Sequence, residues 1–567
     1  MLKIVELVAD MLAQSGVDMV FGLPGGSTPF LFEELYKRSN QFKTVLTRHE
    51  AAATVMADVY ARITRKPGIV IGQGVWMATN GGFGLAEAYL AGSPVVLITE
   101  FSDWYGLNQQ APYQVGTGEY GAIDLLNIYK SFSKYTTQAN TPGELLYGIQ
   151  LALKHATTGR PGPAVVISKW NVMMGVLKET DTIEPPSYPL SGYLKVSPPC
   201  ISSTDAKTIA DLLLQASRPV MICGRGIHTS QAYQEVQELA ELIGLPVTTS
   251  YMGKGSIAET HPLALGSMAA LGQKLANERI KQADVILVVG SCLSPENTNN
   301  CKKDFIDPTR QQIIQIDIEA RNAGWTFPVF LGITSDAKLA LQAIISQLKQ
   351  SNNKIDVQQR IHEIQAAKNL PAMEWFTSKF AISDELPLAP ERVVKAINKL
   401  MREDDLLILD GGNNRMWFTK LFQTKKAGQL IGPGGAAGMS WAASAAIGAA
   451  FVYNRGKVIA AIGDGGLLMA LYNFETIKQY KLPLILVVFN NSCLGNVRDF
   501  LTRKGQTVCE YDEINFANIA QIMGLKGVRV DTVEQLQIAF QEALNSEAAV
   551  IIDVVVKPAS HIRIRGN

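Results

Sequence analysis

The stretch that decides the fold, residues 463–491, reads GDGGLLMALYNFETIKQYKLPLILVVFNN. Apolar runs at 458–462 and 484–489 lie just before it and near its end, and both are typical of buried parallel strands. The intervening segment, roughly 470–480, has a helical pattern, so the stretch predicts one strand–helix–strand unit. Asp464 and Asn491 then each follow the carboxyl end of a parallel strand, where open α/β sheets bind ligands.

These two side chains predict a site for a hard cation. A carboxylate and an amide oxygen suit Mg²⁺, and the glycines around Asp464 let a phosphate approach the backbone. Asp-Gly alone is a common turn, so the prediction depends on Asn490-Asn491 following one crossover later. Together the two motifs indicate Mg²⁺ holding a diphosphate.

The composition indicates a large globular protein. Its 567 residues are expected to form about three or four domains, and 47% hydrophobic with 18% charged residues permits a large core. A net charge of +1 without a long basic run argues against nucleic acid or an anionic membrane as partner. The six cysteines form no CxxC pair and the six histidines no HxxxH, so we expect neither zinc nor disulfides, and a cytoplasmic location.

Two segments bear on targeting and membranes. The N-terminal residues 1–22 have the pattern of an amphipathic helix followed by a strand, without the features of a signal peptide. Residues 436–452 are weakly polar but rich in Ala, Gly and Ser, which predicts a tightly packed buried helix rather than a membrane span.

Strand-like runs alternate with helical patterns almost throughout, which predicts α/β layers with parallel sheets. Two polar or Pro-rich breaks divide the chain. We predict domains at 1–183, 200–350 and 386–567, joined by linkers at 184–199 and 351–385.

The pattern at 463–491 resembles the magnesium–diphosphate motif of thiamine-diphosphate (ThDP) enzymes. Such enzymes need a carboxylate on the aminopyrimidine N1′ to favour the tautomer that deprotonates the thiazolium C2. Glu50 follows a predicted strand at 42–46 and opens a helix, whose positive end favours a carboxylate. In isolation Glu50 is more often an ordinary helix-N-terminal acid; beside the 463–491 pattern it is the candidate for this role.

Further motifs resemble the acetolactate synthase family over essentially the whole chain. In chain order they are Phe21-Gly22-Leu23-Pro24-Gly25-Gly26, Arg48-His49-Glu50, Gly159-Arg160-Pro161-Gly162-Pro163, Gly244-Leu245-Pro246-Val247-Thr248-Thr249, Glu259-Thr260-His261-Pro262-Leu263, Asp410-Gly411-Gly412, Met416-Trp417, Met439, Ala445-Ala446-Ile447-Gly448, Leu494-Gly495 and Val497-Arg498. The resemblance implies three doubly wound parallel-sheet α/β domains, which bind the pyrimidine, form the centre and bind the diphosphate.

The resemblance also implies roles for individual residues. Glu50 activates the pyrimidine; Asp464, Asn491 and the backbone carbonyl of Cys493 ligate Mg²⁺; and Met439 wedges between the two cofactor rings. The other residues that the resemblance places at the cofactor are Gly25, Thr79, Asn80, Asn413, Asn414, Gly463, Gly465, Gly466, Leu494 and Gly495. In this family two chains share each active site, so a homodimer or homotetramer is implied.

The chain departs from the family at the substrate end. Trp76 and Met77 replace small residues beside the pyrimidine, although Trp76 could instead pack into a neighbouring loop. The family's Phe-Gln-Glu motif is Tyr120-Gly121-Ala122 here, so that Gln114 is a candidate substitute, and Phe500 replaces a Trp. We place Trp76, Met77, Gln114, Val497 and Phe500 in the predicted substrate pocket. We infer that the substrate preference differs from that of the family.

FAD is disfavoured as a second cofactor. The family's flavin-contacting Gly-Met-His-Gly is Ala269-Ala270-Leu271-Gly272 here, and both arginines of its Arg-Phe-Asp-Asp-Arg motif are replaced. Gly224-Arg225-Gly226 could hold a nucleotide pyrophosphate, but a tight strand-to-helix turn explains these glycines equally well.

The function that these predictions favour is a ThDP- and Mg²⁺-dependent carboligase. It would decarboxylate a 2-oxo acid and couple the resulting enamine to a second 2-oxo acid or an aldehyde. Three alternatives stay open: a decarboxylase or lyase without ligation, an acyl transferase to phosphate, and a non-catalytic paralogue that retains the fold.

Overall fold

The computed structural model of the protein describes residues 1–102, 114–118, 120–178, 180–351 and 355–558. Three six-stranded sheets dominate it, and every strand pairing within them is parallel. Helices connect successive strands and cover the sheets on both faces, which confirms the predicted doubly wound α/β architecture. Among the described residues, no helix combines the length and apolar character needed to cross a bilayer.

The N-terminal sheet begins the chain. Its strands, in sheet order, are Lys43–Leu46, Met19–Leu23, Gly68–Gln73, Val95–Phe101, Ala164–Lys169 and Tyr135–Ala139. Its helices are Ile4–Gln14, Thr28–Lys37, Glu50–Thr64, Gly74–Thr79, Gly82–Ala91, Leu125–Lys130, Pro142–Thr157 and Trp170–Met173. A small antiparallel pair, Leu2–Lys3 with Val176–Leu177, joins the two ends of this region.

The central sheet follows the short helix Ser191–Leu194 of the Pro-rich segment. Its strands, in sheet order, are Ala264–Ser267, Val247–Thr249, Val220–Cys223, Val285–Val289, Gln312–Asp317 and Leu331–Thr334. Its helices are Ser203–Gln215, Arg225–Ser230, Tyr233–Ile243, Lys274–Gln282, Ala337–Gln350 and Val357–Lys368. Buried residues of this sheet and its helices form a hydrophobic cluster of their own.

The C-terminal sheet contains the stretch that opened the sequence analysis. Its strands, in sheet order, are Leu430–Ile431, Leu406–Leu409, Val458–Gly463, Leu484–Asn490, Val550–Val555 and Lys526–Val530. Its helices are Pro390–Leu400, Asn413–Leu421, Trp441–Ala450, Asp464–Leu468, Asn473–Tyr480, Gly495–Arg498, Phe516–Ile522 and Val533–Asn545. The predicted strand–helix–strand unit is confirmed, with its single predicted helix divided into Asp464–Leu468 and Asn473–Tyr480.

One hydrophobic core joins the N-terminal and C-terminal sheets. The helix Trp441–Ala450, predicted as a tightly packed buried helix, lies against Glu50–Thr64, and a Cβ on Gly448 would approach the Met56 carbonyl oxygen to 2.7 Å. Small side chains therefore let the two backbones pack closely. The contact fixes the start of Glu50–Thr64 relative to the C-terminal domain.

Candidate active site

Asp464 ties together the ends of two neighbouring strands. It follows Val458–Gly463, which pairs in parallel with Leu484–Asn490, and its side chain is buried. Its Oδ1 accepts the Gly465 N–H at 2.9 Å, while Oδ2 accepts the N–H groups of Asn491 at 3.0 Å and Ser492 at 2.6 Å. The chain turns sharply here, with Ser492 at a φ of 54°. The structure thus brings Asp464 and Asn491 together at one sheet edge.

The other predicted metal ligands continue this turn. The Asn491 Oδ1 accepts the Cys493 N–H at 3.1 Å, and the Cys493 carbonyl accepts the Gly495 N–H at 3.0 Å. A carbonyl oxygen has two lone pairs, so one remains for a further ligand. The carboxylate of Asp464, the amide oxygen of Asn491 and the backbone carbonyl of Cys493 therefore belong to one connected turn at this sheet edge.

The predicted diphosphate residues surround the same loop. Both polar atoms of the Asn413 side chain are buried without a hydrogen-bond partner, and Asn413 Nδ2 is 3.2 Å from where a Cβ on Gly495 would lie. Asn414 Nδ2 is 3.5 Å from the corresponding position of Gly463. An unpartnered buried amide is costly in a folded protein, which points to a polar ligand at this place.

Glycine is required beside Asp464 because other atoms approach closely. A Cβ on Gly466 would lie 2.4 Å from an Asp410 carboxylate oxygen, and one on Gly465 would lie 2.9 Å from the Leu494 side chain. The Tyr511 hydroxyl, which the sequence did not single out, is 3.0 Å from that same Gly465 position. Because these two residues have no side chain, their backbone is what the neighbouring residues Asp410, Met439 and Leu494 approach.

Met439 reaches this cluster from a separate loop. Its Cε lies 3.4 Å from the Gly465 Cβ position. Asp410 fixes the end of the loop because its two oxygens accept the N–H groups of Ser440 at 3.0 Å and Ala442 at 2.9 Å. Burial raises the pKa of Asp410 to about 7, against the opposing effect of these N–H groups. The sequence analysis named Asp410 only as part of a family motif and did not predict this role.

Glu87, which sequence reasoning missed, holds the start of the same loop. Its carboxylate is buried and accepts four consecutive backbone N–H groups, those of residues 434–437, at 2.8–3.1 Å. Arg62 donates to Glu87 at 3.1 Å and to the Gly432 carbonyl at 2.9 Å. Burial alone would raise the pKa of Glu87, but Arg62 and the N–H groups outweigh it and lower the pKa to about 2. The sequence feature that could have identified Glu87 is its position as an acid within the largely apolar helix Gly82–Ala91.

Glu50 begins the helix Glu50–Thr64, as predicted, and its side chain is buried. Asn80 donates to its Oε2 at 3.0 Å, while the preceding His49 stacks on Tyr472 with ring centroids 5.0 Å apart. In the described part of the chain, no hydrogen bond or ion pair joins Glu50 to Asp464 or Asn491. One chain therefore presents the two halves of the predicted site separately.

A second buried acid lies beside the Pro-Gly-Gly turn. The Glu100 Oε1 is 2.1 Å from where a Cβ on Gly26 would lie, and Gly25 is next to Gln73. The Gly25 N–H donates to the Thr28 hydroxyl at 3.0 Å. Burial raises the pKa of Glu100 to about 7. The sequence analysis did not single out Glu100.

Thr79 and Asn80 lie at the end of the helix Gly74–Thr79, which also carries the first substrate-pocket residues. The Thr79 hydroxyl donates to the Val75 carbonyl at 2.9 Å. Trp76 is 47% exposed, whereas Met77 is fully buried in the core against Gly72. Met77 is thus a core side chain of the N-terminal domain.

The remaining predicted pocket residues lie on two other segments. Gln114 adopts a φ of 55°, and its Oε1 is buried without a hydrogen-bond partner. Residues 103–113 and 119 of its loop lie outside the described residues. Val497 and Phe500, on and after the helix Gly495–Arg498, are exposed in the single chain.

Comparison with known proteins agrees with this geometry. Three family models match: the thiamine pyrophosphate enzyme N-terminal TPP binding domain at 2–117, the central domain at 206–344, and the C-terminal TPP binding domain at 410–554. A probable acetolactate synthase large subunit from Methanocaldococcus jannaschii is 30% identical over 98% of this chain and 92% of its own length. The chain belongs to the acetolactate synthase family of ThDP enzymes.

Other relatives show the breadth of the family. The acetolactate synthase large subunit of Haemophilus influenzae is 28% identical over 99% of this chain and 96% of its own length. A putative thiamine pyrophosphate-containing protein, YdaP, from Bacillus subtilis is 26% identical over 97% of this chain and 91% of its own length. The chain is therefore a ThDP-dependent, acetolactate-synthase-like enzyme.

The residues present fit ThDP. The unpartnered Asn413 amide, the Gly465-Gly466 backbone and the oxygen side chains of Asp464 and Asn491 suit a metal-bound diphosphate. Met439 provides an apolar side chain next to them.

The glycines of Gly224-Arg225-Gly226 have a structural explanation. A Cβ on Gly224 would lie 2.2 Å from the Gly290 carbonyl oxygen, and one on Gly226 would lie 2.5 Å from the Gly290 Cα. Close packing of two strand-end turns thus requires them, in keeping with the tight turn that the sequence left open. The expectation that FAD is not bound stays a prediction.

Proposed function

We propose that this enzyme is a Mg²⁺-dependent carboligase that joins two 2-oxo acids, or a 2-oxo acid and an aldehyde. The observation that carries this proposal is the meeting of Asp464 and Asn491 at one sheet edge, beside the unpartnered buried amide of Asn413. The set combines oxygen ligands for a hard cation with a polar group for its phosphate partner. The proposal includes the three domains predicted at residues 1–183, 200–350 and 386–567.

Each residue would have a defined task. Asp464, Asn491 and the Cys493 carbonyl would hold Mg²⁺, and Asn413, Asn414 and the backbone around Gly465 and Leu494-Gly495 would hold the diphosphate. Met439 would contact the rings of the bound cofactor. When bound, ThDP supplies the nucleophilic carbon and the electron sink for decarboxylation.

Glu50 would hold a proton at the cofactor pyrimidine N1′. Burial of its carboxylate excludes water, and the Asn80 amide fixes its orientation by the 3.0 Å hydrogen bond. A fixed, dry carboxylate is effective in general acid–base work because it needs no rearrangement during the reaction.

The overall reaction is a decarboxylation coupled to the formation of a carbon–carbon bond. The bond between the donor's carbonyl carbon and its carboxylate breaks, and CO₂ leaves. A new carbon–carbon bond forms between that carbonyl carbon and the carbonyl carbon of the acceptor, whose oxygen takes up one proton to become a hydroxyl. The products are CO₂ and an acyloin-type compound.

A homodimer or a homotetramer would complete the site. Apolar side chains on both sides of it are exposed in the single chain, including Trp76 at 47%, Met469 at 61% and Phe500 at 75%. Large exposed apolar groups grouped around a site mark an interaction surface. A second chain would cover them and bring its Glu50 to the Asp464 of the first.

The substrate preference would differ from that of relatives named acetolactate synthase. Trp76, Gln114 and Phe500 depart from the family pattern, and they lie with Val497 at the proposed substrate end. The substrates would be small 2-oxo acids, with no nucleic-acid or membrane partner. Six cysteines without a disulfide suit the reducing cytoplasm, where we place the enzyme.

A product assay tests the proposal. Purified protein with ThDP and Mg²⁺ would be incubated with pyruvate, longer and aromatic 2-oxo acids, each with and without an aldehyde, in phosphate and in phosphate-free buffer. Mass spectrometry should detect an acyloin-type product for at least one pair. Free aldehyde as the only product would indicate a decarboxylase, an acyl phosphate formed only in phosphate buffer would indicate an acyl transferase, and either result would refute the carboligase.

A further inference from the structure

A cavity of about 650 Å³ lies between the three domains, apart from the proposed cofactor site. The N-terminal domain contributes Arg62 and Arg65 to its wall, the central domain contributes Arg225 and His228, and the C-terminal domain contributes residues 425–428 and 430–433. Among the residues that the structure describes, none of those assigned to ThDP or Mg²⁺ lines it. The proposed catalytic chemistry therefore does not account for this cavity.

The wall of this cavity is rich in cationic side chains, of which five pair with carboxylates outside the cavity: Arg62, Lys254, Lys338, Arg415 and Lys426. Its cationic side chains include Arg62, Arg65, Arg225, Arg415, Lys425 and Arg455. Within the described ranges, no Asp or Glu lines it. Such a one-sided lining concentrates anions, because the low-dielectric walls focus the field.

The two carboxylates that act on Arg225, those of Asp58 and Glu87, are already paired with Arg62, at 2.8 Å and 3.1 Å. Arg225 instead donates to the Ser93 hydroxyl at 2.9 Å, and Arg65 donates to the His228 carbonyl. No ion pair of Arg65 or Arg225 occurs in the part of the chain that the structure describes.

Both of these arginines have hydrogen-bonding capacity to spare. The Nε atoms of Arg65 and Arg225 are buried without a partner. A buried charged donor that lacks an acceptor is strongly unfavourable, so it persists where a ligand uses it.

Burial and the crowding of positive charges shift the pKa values of Arg225 and His228. Burial lowers the pKa of Arg225 well below its usual value, and the positive charges of Arg62 and Arg65 lower it further. Burial, with Arg225 and Arg65 nearby, lowers the pKa of His228 to about 3, so this ring is neutral at physiological pH.

We propose that this cavity binds a small phosphate-bearing anion between Arg65 and Arg225. A guanidinium presents parallel N–H groups whose spacing matches two phosphate oxygens, which a chloride or a single carbonyl cannot use fully. The lining also includes apolar and aromatic side chains, those of Leu406, Leu430, Tyr233 and Tyr453, which suit an organic group attached to the phosphate. The volume is that of an ordinary small-molecule site.

A neighbouring cavity requires a control. It measures about 900 Å³ and shares Arg65 and Arg225, but its wall also includes Glu296, Asp317 and Glu319. Arg321 lines only this larger cavity, is exposed and pairs with Glu319. Arg321→Gln therefore tests binding there without touching the proposed site.

The test is calorimetric titration of the intact enzyme, saturated beforehand with ThDP and Mg²⁺ so that the proposed cofactor site is occupied. The probes are ADP and inorganic phosphate, at constant ionic strength. We expect one bound probe per chain. Binding of both probes would show that phosphate suffices, binding of ADP alone would show that the apolar wall contributes, and binding of neither would overturn the proposal.

Variants locate the binding. Arg65→Gln and Arg455→Gln should weaken the probe by about tenfold or more each, since a hydrogen bond to a charged group contributes about 1.5–3 kcal/mol. Arg455 is exposed, so its replacement does not threaten the fold, and circular dichroism checks Arg65→Gln. Arg321→Gln should bind like the unmodified enzyme. Equal binding by all variants, or weakening by Arg321→Gln alone, would place the probe elsewhere.

Discussion

Replacing Glu87 by Gln should release the loop that carries Met439. The carboxylate accepts hydrogen bonds from the four backbone N–H groups of residues 434–437 and from the guanidinium group of Arg62. The Gln side chain has nearly the same shape but only one accepting oxygen. Whichever way the amide turns, two backbone N–H groups lose their acceptor and face a donor instead.

The cost follows from these contacts. A buried donor without an acceptor costs about 1–3 kcal/mol, and removing one partner of a buried ion pair costs about 3–5 kcal/mol. The loop is partly exposed, so water compensates in part, and Asp58 still pairs with Arg62. We therefore expect the free energy of opening this loop to fall by about 3 kcal/mol, which corresponds to about 100-fold more frequent opening.

Hydrogen exchange measured by mass spectrometry reports this opening directly. Peptides that cover residues 432–440 should exchange about 100-fold faster in Glu87→Gln, while the central sheet keeps its rate. The matched control is Glu144→Gln, because Glu144 also accepts two backbone N–H groups but is exposed at the start of Pro142–Thr157. Its loss should cost no more than about 1 kcal/mol. Equal exchange of residues 432–440 in the two variants would refute this account of Glu87.

Four further outcomes are expected. Glu50→Gln should abolish product formation while ThDP binding and the oligomer measured by ultracentrifugation persist; unchanged turnover would remove Glu50 from its role. Asp464→Asn should raise the Mg²⁺ concentration for half-maximal activity by about tenfold or more, as a removed ligand should, and an unchanged Mg²⁺ titration would contradict the site. Glu100 has a pKa of about 7 against an ordinary 4.5, so its ionisation destabilises the fold as pH rises across that interval; Glu100→Gln should make the cofactor-free protein about 3 kcal/mol more stable at pH 8 but not at pH 4.5, by urea unfolding. Phe500→Ala should change the ratio of products from competing 2-oxo acids, and an unaltered ratio would exclude Phe500 from the substrate end.

The strands around Asp464 were predictable because fully buried parallel strands leave unbroken apolar runs. The helix between them was less so: its predicted single span is two helices, and the first begins at Asp464 itself, with glycines that intrinsic helix propensity disfavours. Local sequence cannot reveal that Asp464 binds the N–H groups of the next strand end. That contact arises from sheet pairing.

Glu87 shows where sequence reasoning stops. Its N–H partners lie 347–350 residues further along the chain. They belong to a loop of Gly and Ala residues, a composition that by itself predicts only a flexible segment. Trp76 and Met77 show a second limit, since adjacent residues of one short helix face solvent and core respectively. The departure from the family pattern at these two positions did not reveal which side chain points to solvent and which to the core.

The core shared by Glu50–Thr64 and Trp441–Ala450 has a consequence for synthesis of the protein. The N-terminal domain leaves the ribosome hundreds of residues before the helix that completes its hydrophobic packing, whereas the central domain carries a complete cluster of its own. During translation the apolar face of Glu50–Thr64 stays uncovered, which is the kind of surface that chaperones bind and that aggregates. The central domain should therefore acquire its native structure first, with the two terminal domains consolidating together once the chain is released.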